Sequence, residues 1–352
     1  MKLKLKKVSQ QVIVITGATS GIGLVTARMA ARRGAKLVLV ARNAQALQEL
    51  TTELTANGAQ AVYAVADVAD EAALQGAAQL AIGTFGGFDT WVNNAGISVY
   101  GKLTDIPLAD HRRLFETNFW GVVYGSRIAA EHLRQRGGAL INQGSVLSDR
   151  AVSFQGMYSA SKHAVKGFTD ALRMELEQDD APVAVTLIKP SGINTPFPEH
   201  ARNYMPLEAT LPPPVFAPEL VAEAILHCAE TPVRDFTVGE SKMLGAMGQL
   251  APRLTDKIME KDMAHRQFKK KPKPGGESDS LYETRSNLVE RGDYEGHVFE
   301  ESLQVRAKMH PITTGAVLMG LTIAVAAWLN RDKLTTGNRG PGTIEPNGIA
   351  DL

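Results

Sequence analysis

A chain of 352 residues, 44% apolar and 21% charged, has the makeup of an ordinary globular protein with one large core or two small ones. Its net charge of +1 lacks the basic excess of a whole-protein nucleic-acid binder, so none is expected as a partner. The single cysteine, Cys228, excludes an internal disulfide and suits a reducing, cytoplasmic compartment, and eight scattered histidines without ligand spacing give no metal site.

The basic start, Met1 to Lys7, precedes an apolar run, Val12 to Ile15, that is too short for a signal peptide. It reads as a first strand, 12–16, and leads straight into Gly17-Ala18-Thr19-Ser20-Gly21-Ile22-Gly23. Backbone N–H groups can face a phosphate where glycine removes the Cβ. Gly17 suits the tight turn, Gly21 a close approach to pyrophosphate, and Gly23 the packing of helix on sheet. Further strands are predicted over 36–40, 61–65, 90–93, 139–143, 183–188 and 235–238, with helical stretches such as 24–33, 44–56 and 71–82 between the early ones. Strands apolar on both faces and separated by helices predict a doubly wound parallel sheet, the Rossmann-type α/β fold.

The second strand ends in Ala41-Arg42, where an NAD site normally carries a carboxylate for the ribose hydroxyls. Arg42 can instead pair with a 2′-phosphate, which favours NADP(H) over NAD(H). The fourth strand ends in Asn93-Asn94-Ala95-Gly96. Together with the GxxxGxG turn, this segment resembles the short-chain dehydrogenase/reductase family, over about residues 8–240. The resemblance implies that Thr19, Ser20 and Ile22 join the three glycines in holding the cofactor. It implies that Asn94, Ala95 and Gly96 line its site, and that Asp67 and Val68 meet the adenine. It also implies a homo-oligomer.

Tyr158-Ser159-Ala160-Ser161-Lys162 places a phenol and an ammonium four residues apart, on one helical face. A free tyrosine titrates at about 10, and a neighbouring ammonium is expected to lower that value. Tyr158 could then exchange a proton with a substrate oxygen, and the resemblance implies that Lys162 also holds the nicotinamide ribose. Ser145 supplies a hydroxyl for the substrate oxygen and for Tyr158. Asn118 matches the family's fourth catalytic position, in a proton relay behind Lys162. In Lys189-Pro190-Ser191-Gly192-Ile193-Asn194-Thr195 the resemblance assigns Pro190, Gly192, Ile193 and Thr195 to the nicotinamide carboxamide. Ser191 interrupts the usual Pro-Gly pair. A lid over 196–218, with Phe197, Tyr204, Met205, Leu207, Leu211, Val215 and Phe216, points to a hydrophobic substrate.

Beyond 240, Met247, Leu250, Leu254, Ile258 and Met259 fall at helical spacing, giving an amphipathic helical extension over 241–268. Residues 269–311 read as a polar linker. The uncharged run 312–329 is expected either to span a membrane or to pack as a helix on protein, and 330–352 form a polar tail. The expected function is hydride transfer between NADP(H) and a small-molecule carbonyl/alcohol pair. The competing readings are a catalytically silent NAD(P)-binding sensor and a membrane-tethered interaction protein on the same fold.

Overall fold

The computed structural model describes residues 3–239, 250–273, 275, 278–285, 288–309, 314 and 319. Seven parallel strands form the main sheet in the spatial order Asp235–Val238, Val183–Pro190, Gly138–Gln143, Thr90–Asn93, Val12–Thr16, Lys36–Ala41 and Ala61–Val65. The first strand sits in the middle, with Ile13 opposite Leu37 on one side and Thr90 on the other. Chain order reverses there, so the ends of Val12–Thr16 and Thr90–Asn93 flank the crevice where open α/β sheets bind ligands. Helices Gly21–Arg32, Ala44–Ala56, Glu71–Phe85, Gly121–Arg136, Gly156–Gln178 and Pro218–Glu230 follow or join these strands.

Valine, isoleucine and leucine bury both faces of the central strands, and Val12 to Thr16 is buried throughout. Helix starts are set by short polar side chains: Asn43 accepts from the Ala46 N–H at 2.9 Å, and Asp70 from Ala72 and Ala73. Within the core lies one polar hub. Asn93, almost wholly buried, accepts from the Trp91 indole at 2.8 Å and donates to Ser126 and Asn142.

Residues beyond 240 depart from the sequence expectation. The described part of the extension is one continuous helical stretch, Pro252–Ile258, Met259–Met263 and Ala264–Arg266, but its apolar stripe faces outward. Leu250, Leu254 and Ile258 are exposed, whereas Thr255, Met259 and Ala264 are buried. Met247 lies outside the described residues. The span expected to be linker is structured in part: Phe268–Pro272 pairs antiparallel with Leu207–Ala209, and Val298–Phe299 pairs with Val215–Phe216. Lys269 ties that strand pair together through Glu208 at 2.5 Å and reaches on to Asp293 at 2.6 Å. Spaced lysines and glycines hid these short strands, because their partners lie far off in sequence.

Contacts divide the chain into 1–305 and 306–352. Of the second unit, 306–309 complete a short helix, Leu303–Met309. Apart from Thr314 and Met319, the candidate membrane run 312–329 lies outside the described residues, as does the tail 330–352. Among the described residues no helix is long and apolar enough to cross a membrane.

The hub gives a stability test. Asn93→Ala leaves the Trp91 indole and part of Asn142 unpaired inside the core, and should cost about 2–4 kcal/mol in urea unfolding. An unchanged midpoint would show that the hub is dispensable.

Candidate active site

The crevice begins at the glycine turn. Gly17 has φ +66°, and a Cβ there would lie 2.9 Å from the Ala95 Cα. At Gly23 a Cβ would run into the Gly17 carbonyl, so helix and turn close only on glycine. Asn94 donates to the carbonyls of Thr16 at 2.9 Å and Gly17 at 3.2 Å. The Thr16 hydroxyl accepts from the N–H groups of Asn94 and Ala95.

One elongated cleft is lined by Gly17, Thr19, Ser20, Gly21, Ile22, Arg42, Asp67, Val68, Asn94, Ala95, Gly96, Tyr158, Lys162 and Thr195. Of the residues read from the sequence as cofactor ligands, Gly23 lies beneath the turn, and Pro190, Gly192 and Ile193 line a neighbouring pocket. Asp67 lines the cleft with its carboxylate already engaged, accepting from Arg113 at 2.5 Å and from the Ala69 N–H at 3.0 Å. Burial holds the Arg42 guanidinium below its ordinary value, with Asp67 opposing that and Arg113 adding to it. Thr117 Oγ1 and Gln143 Oε1 are buried in the lining and have no hydrogen-bond partner among the described residues. Polar atoms left unsatisfied in the lining of a cleft fit a polar ligand.

The acid–base group sits at one end. Tyr158 and Lys162 lie on the first turns of helix Gly156–Gln178 and both are buried. Lys162 Nζ lies 5.7 Å from the centroid of the Tyr158 ring and donates to the Gln143 carbonyl at 2.9 Å. Ser145, whose hydroxyl caps the turn Val146–Ser148 by accepting from the Leu147 N–H at 3.1 Å, lines the same pocket as the Tyr158 phenol. Asn118 falls in a π-helical turn, Glu116–Trp120, of the kind often found at functional sites. It is fully buried, and its amide brackets Ile97 by accepting from the N–H and donating to the carbonyl, each at 2.9 Å.

The expected lowering of the tyrosine is not found. Burial pushes Tyr158 up to about 12, with the Ser145 hydroxyl pulling the other way, and burial pushes Lys162 down to about 8. Desolvation is the largest cause at both groups, and the ammonium is tied to the Gln143 carbonyl.

Tyr158 and Gln143 also line the second, largely apolar pocket, with Ser145, Val152, Ile193, Phe197 and Leu211 to Pro214. Part of its wall is Met259, Met263 and Gln267 from the extension. Of the lid residues expected there, Phe197 and Leu211 reach the pocket. Val215 and Phe216 are buried in a small parallel sheet with Gly192–Ile193, and Tyr204 donates to Asp110 at 2.5 Å. The break at Ser191 is absorbed because Gly192–Ile193 forms this separate strand after Pro190. Sequence reading missed the extension's methionines as pocket residues, and it also missed Ser280, Thr284 and Arg285, which line the first cleft. Their only sequence signal is that an interrupted polar segment follows a complete catalytic domain.

The family model described as short chain dehydrogenase matches residues 11–205. The uncharacterized oxidoreductase YxnA of Bacillus subtilis is 48% identical over 330 residues, covering 93% of each chain. Dehydrogenase/reductase SDR family member 7B of Bos taurus is 40% identical over 195 residues, which is 53% of this chain and 59% of that protein. L-sorbose reductase from Gluconobacter frateurii, solved with NADPH and L-sorbose, matches with TM-score 0.57 and 25% identity over 68% of this chain and 97% of that one. An alcohol dehydrogenase from Thermococcus sibiricus, complexed with 5-hydroxy-NADP, matches at TM-score 0.57 and 26% identity, covering 65% and 94%.

Proposed function

Because the chain belongs to the short-chain dehydrogenase/reductase family, we propose that it is an NADP(H)-dependent oxidoreductase acting on a hydrophobic carbonyl/alcohol pair. The observation that carries this reading is that Tyr158 lines both the elongated cleft and the apolar pocket. A phenol at that seam can reach a substrate oxygen in one cavity while the reducing group lies in the other.

The glycine turn, Asn94 to Gly96, Thr195 and Lys162 would hold the dinucleotide, and bound there it supplies or accepts hydride. The chain's own residues manage the proton. Ser145 aligns the phenol, and Tyr158 gives its proton to the carbonyl oxygen as charge develops on it. With Tyr158 held at about 12, the phenol is protonated at neutral pH, which suits carbonyl reduction. Lys162 at about 8 is mostly charged at pH 7, and its field assists loss of the phenol proton. The apolar lining from Val152, Ile193, Phe197 and the two methionines favours a lipophilic substrate. Preference for NADP(H) rests on Arg42 in place of a carboxylate, and it agrees with the ligands named for the two solved relatives.

Turnover of NADPH against a panel of hydrophobic ketones and aldehydes tests the assignment. Tyr158→Phe should lower kcat by about a hundredfold or more, with KM little changed. Full activity in that variant would refute the role of the phenol. The pH profile separates the two groups. Reduction should weaken above about pH 8 as Lys162 loses its proton, because Tyr158 stays protonated far beyond that. Lys162→Arg, slower but permanently charged, should lack this descending limb; a limb that persists would assign it elsewhere. Arg42→Ala should weaken NADPH binding by about tenfold more than NADH binding in calorimetry. Equal losses would remove the 2′-phosphate argument.

A further inference from the structure

Residues 278–285 and 288–290 lie outside the 11–205 span that the family model covers, yet Ser280, Thr284 and Arg285 line the elongated cleft. Their anchors come from three parts of the domain. Arg42 donates to the carbonyls of Ser280 at 2.5 Å and Tyr282 at 3.4 Å, and Arg113 donates to that of Leu281 at 2.9 Å. The Leu281 side chain is fully buried in a cluster with Ile97, Val99, Ile106, Leu114 and Tyr158. Further along, the Gly21 N–H donates to the Val289 carbonyl at 2.9 Å, and Arg28 pairs with Glu290 at 2.9 Å. Between these anchors Thr284 and Arg285 enter the cleft lining, and Arg285 donates to the Glu199 carbonyl at 2.7 Å.

Charge gives this placement a purpose. A dinucleotide carries its pyrophosphate charge over the glycine turn, but residues 17–22 include no cationic side chain. One of the turn's own donors, the Gly21 N–H, is already committed to Val289. Arg42 stands at the end of the second strand near Asp67, and Lys162 stands beside Tyr158. Arg285 is the third cationic residue of the lining, on the wall formed by Thr195 to Glu199. That wall meets the turn, since a Cβ on Gly21 would lie 3.0 Å from the Thr195 Cβ.

We infer that Arg285, with Thr284 beside it, is a cofactor-binding residue supplied by the segment after the catalytic domain, taking the pyrophosphate that the glycine turn alone leaves under-neutralised. The inference rests on the dinucleotide reading above and adds a ligand to it. Because the pyrophosphate is common to both cofactors, the effect must be blind to the 2′-phosphate, unlike that of Arg42. Arg285 positions and binds, and takes no part in the proton transfer.

The test is calorimetric titration of the full-length protein with NADPH and with NADH. Arg285→Ala should weaken both by a similar factor, about ten- to a hundredfold, as expected for loss of a charge-assisted pair. Arg285→Lys should recover much of that affinity, which a purely packing role would not predict. A loss confined to NADPH would overturn the assignment by placing Arg285 on the 2′-phosphate. Unchanged affinity in Arg285→Ala, with the wild type binding normally, would overturn that segment's role and leave the oxidoreductase reading intact. Wild-type protein that binds neither dinucleotide would instead sink that reading and the inference together. Should Arg285→Ala fold poorly, amide exchange on the wild type decides: exchange over 281–285 should slow when NADPH saturates, and unaltered exchange counts against the inference.

Discussion

At the point where the sheet reverses, one threonine and one asparagine hold two strand ends together. The Thr16 hydroxyl accepts two backbone N–H groups from the fourth strand's exit and donates to the Val92 carbonyl, while the Asn94 amide returns two bonds to the first strand's exit. Buried polar groups carry a heavy desolvation cost unless every one is matched, so this exchange admits little slack. It fixes the height of the glycine turn against Ala95 and Gly96. Gly96 in turn faces Asn118 and Lys162, so the positions of the reactive groups follow from the same knot.

The chemistry built on that frame relies on desolvation. A phenol and an ammonium side by side would, in water, be a weak acid and a permanent cation. Enclosed, the phenol keeps its proton more tightly and the ammonium holds its own less tightly, so both become responsive to charge arriving in the cleft. Asn118 contributes indirectly. By bracketing Ile97 from within a π-helical turn it sets the backbone that passes under the active-site end of the cleft.

Sequence reading was most reliable where the physics is local. Strands at 12–16, 61–65, 90–93 and 235–238 carry their own β-branched pattern, and the structure has strands over those same residues. The glycine turn, Asn94, Ser145, Tyr158 and Lys162 are bound to strand or helix ends that such patterns locate. The titration of Tyr158 was not legible, because sequence shows a lysine four residues away but not how deeply both are enclosed. Nor was the direction of the Leu250, Leu254 and Ile258 stripe, since periodicity identifies a face without saying what it meets. Ser280, Leu281, Tyr282 and Val289 were hidden for another reason: they attach largely through backbone carbonyls, which every residue possesses and no composition reveals.

The bond from Gly21 to Val289 has a bearing on how the molecule comes into being. A ribosome delivers the strand Val12–Thr16 and its turn ahead of the rest of the sheet, but the carbonyl that completes the turn is made only after all seven strands. Until then the crevice lacks one wall and the Leu281 cluster lacks its plug. Ties between such distant parts of a chain slow folding. The nascent protein can therefore assemble its sheet long before it owns a finished binding groove, and a chain released short of residue 289 would carry the whole family signature with that groove left open.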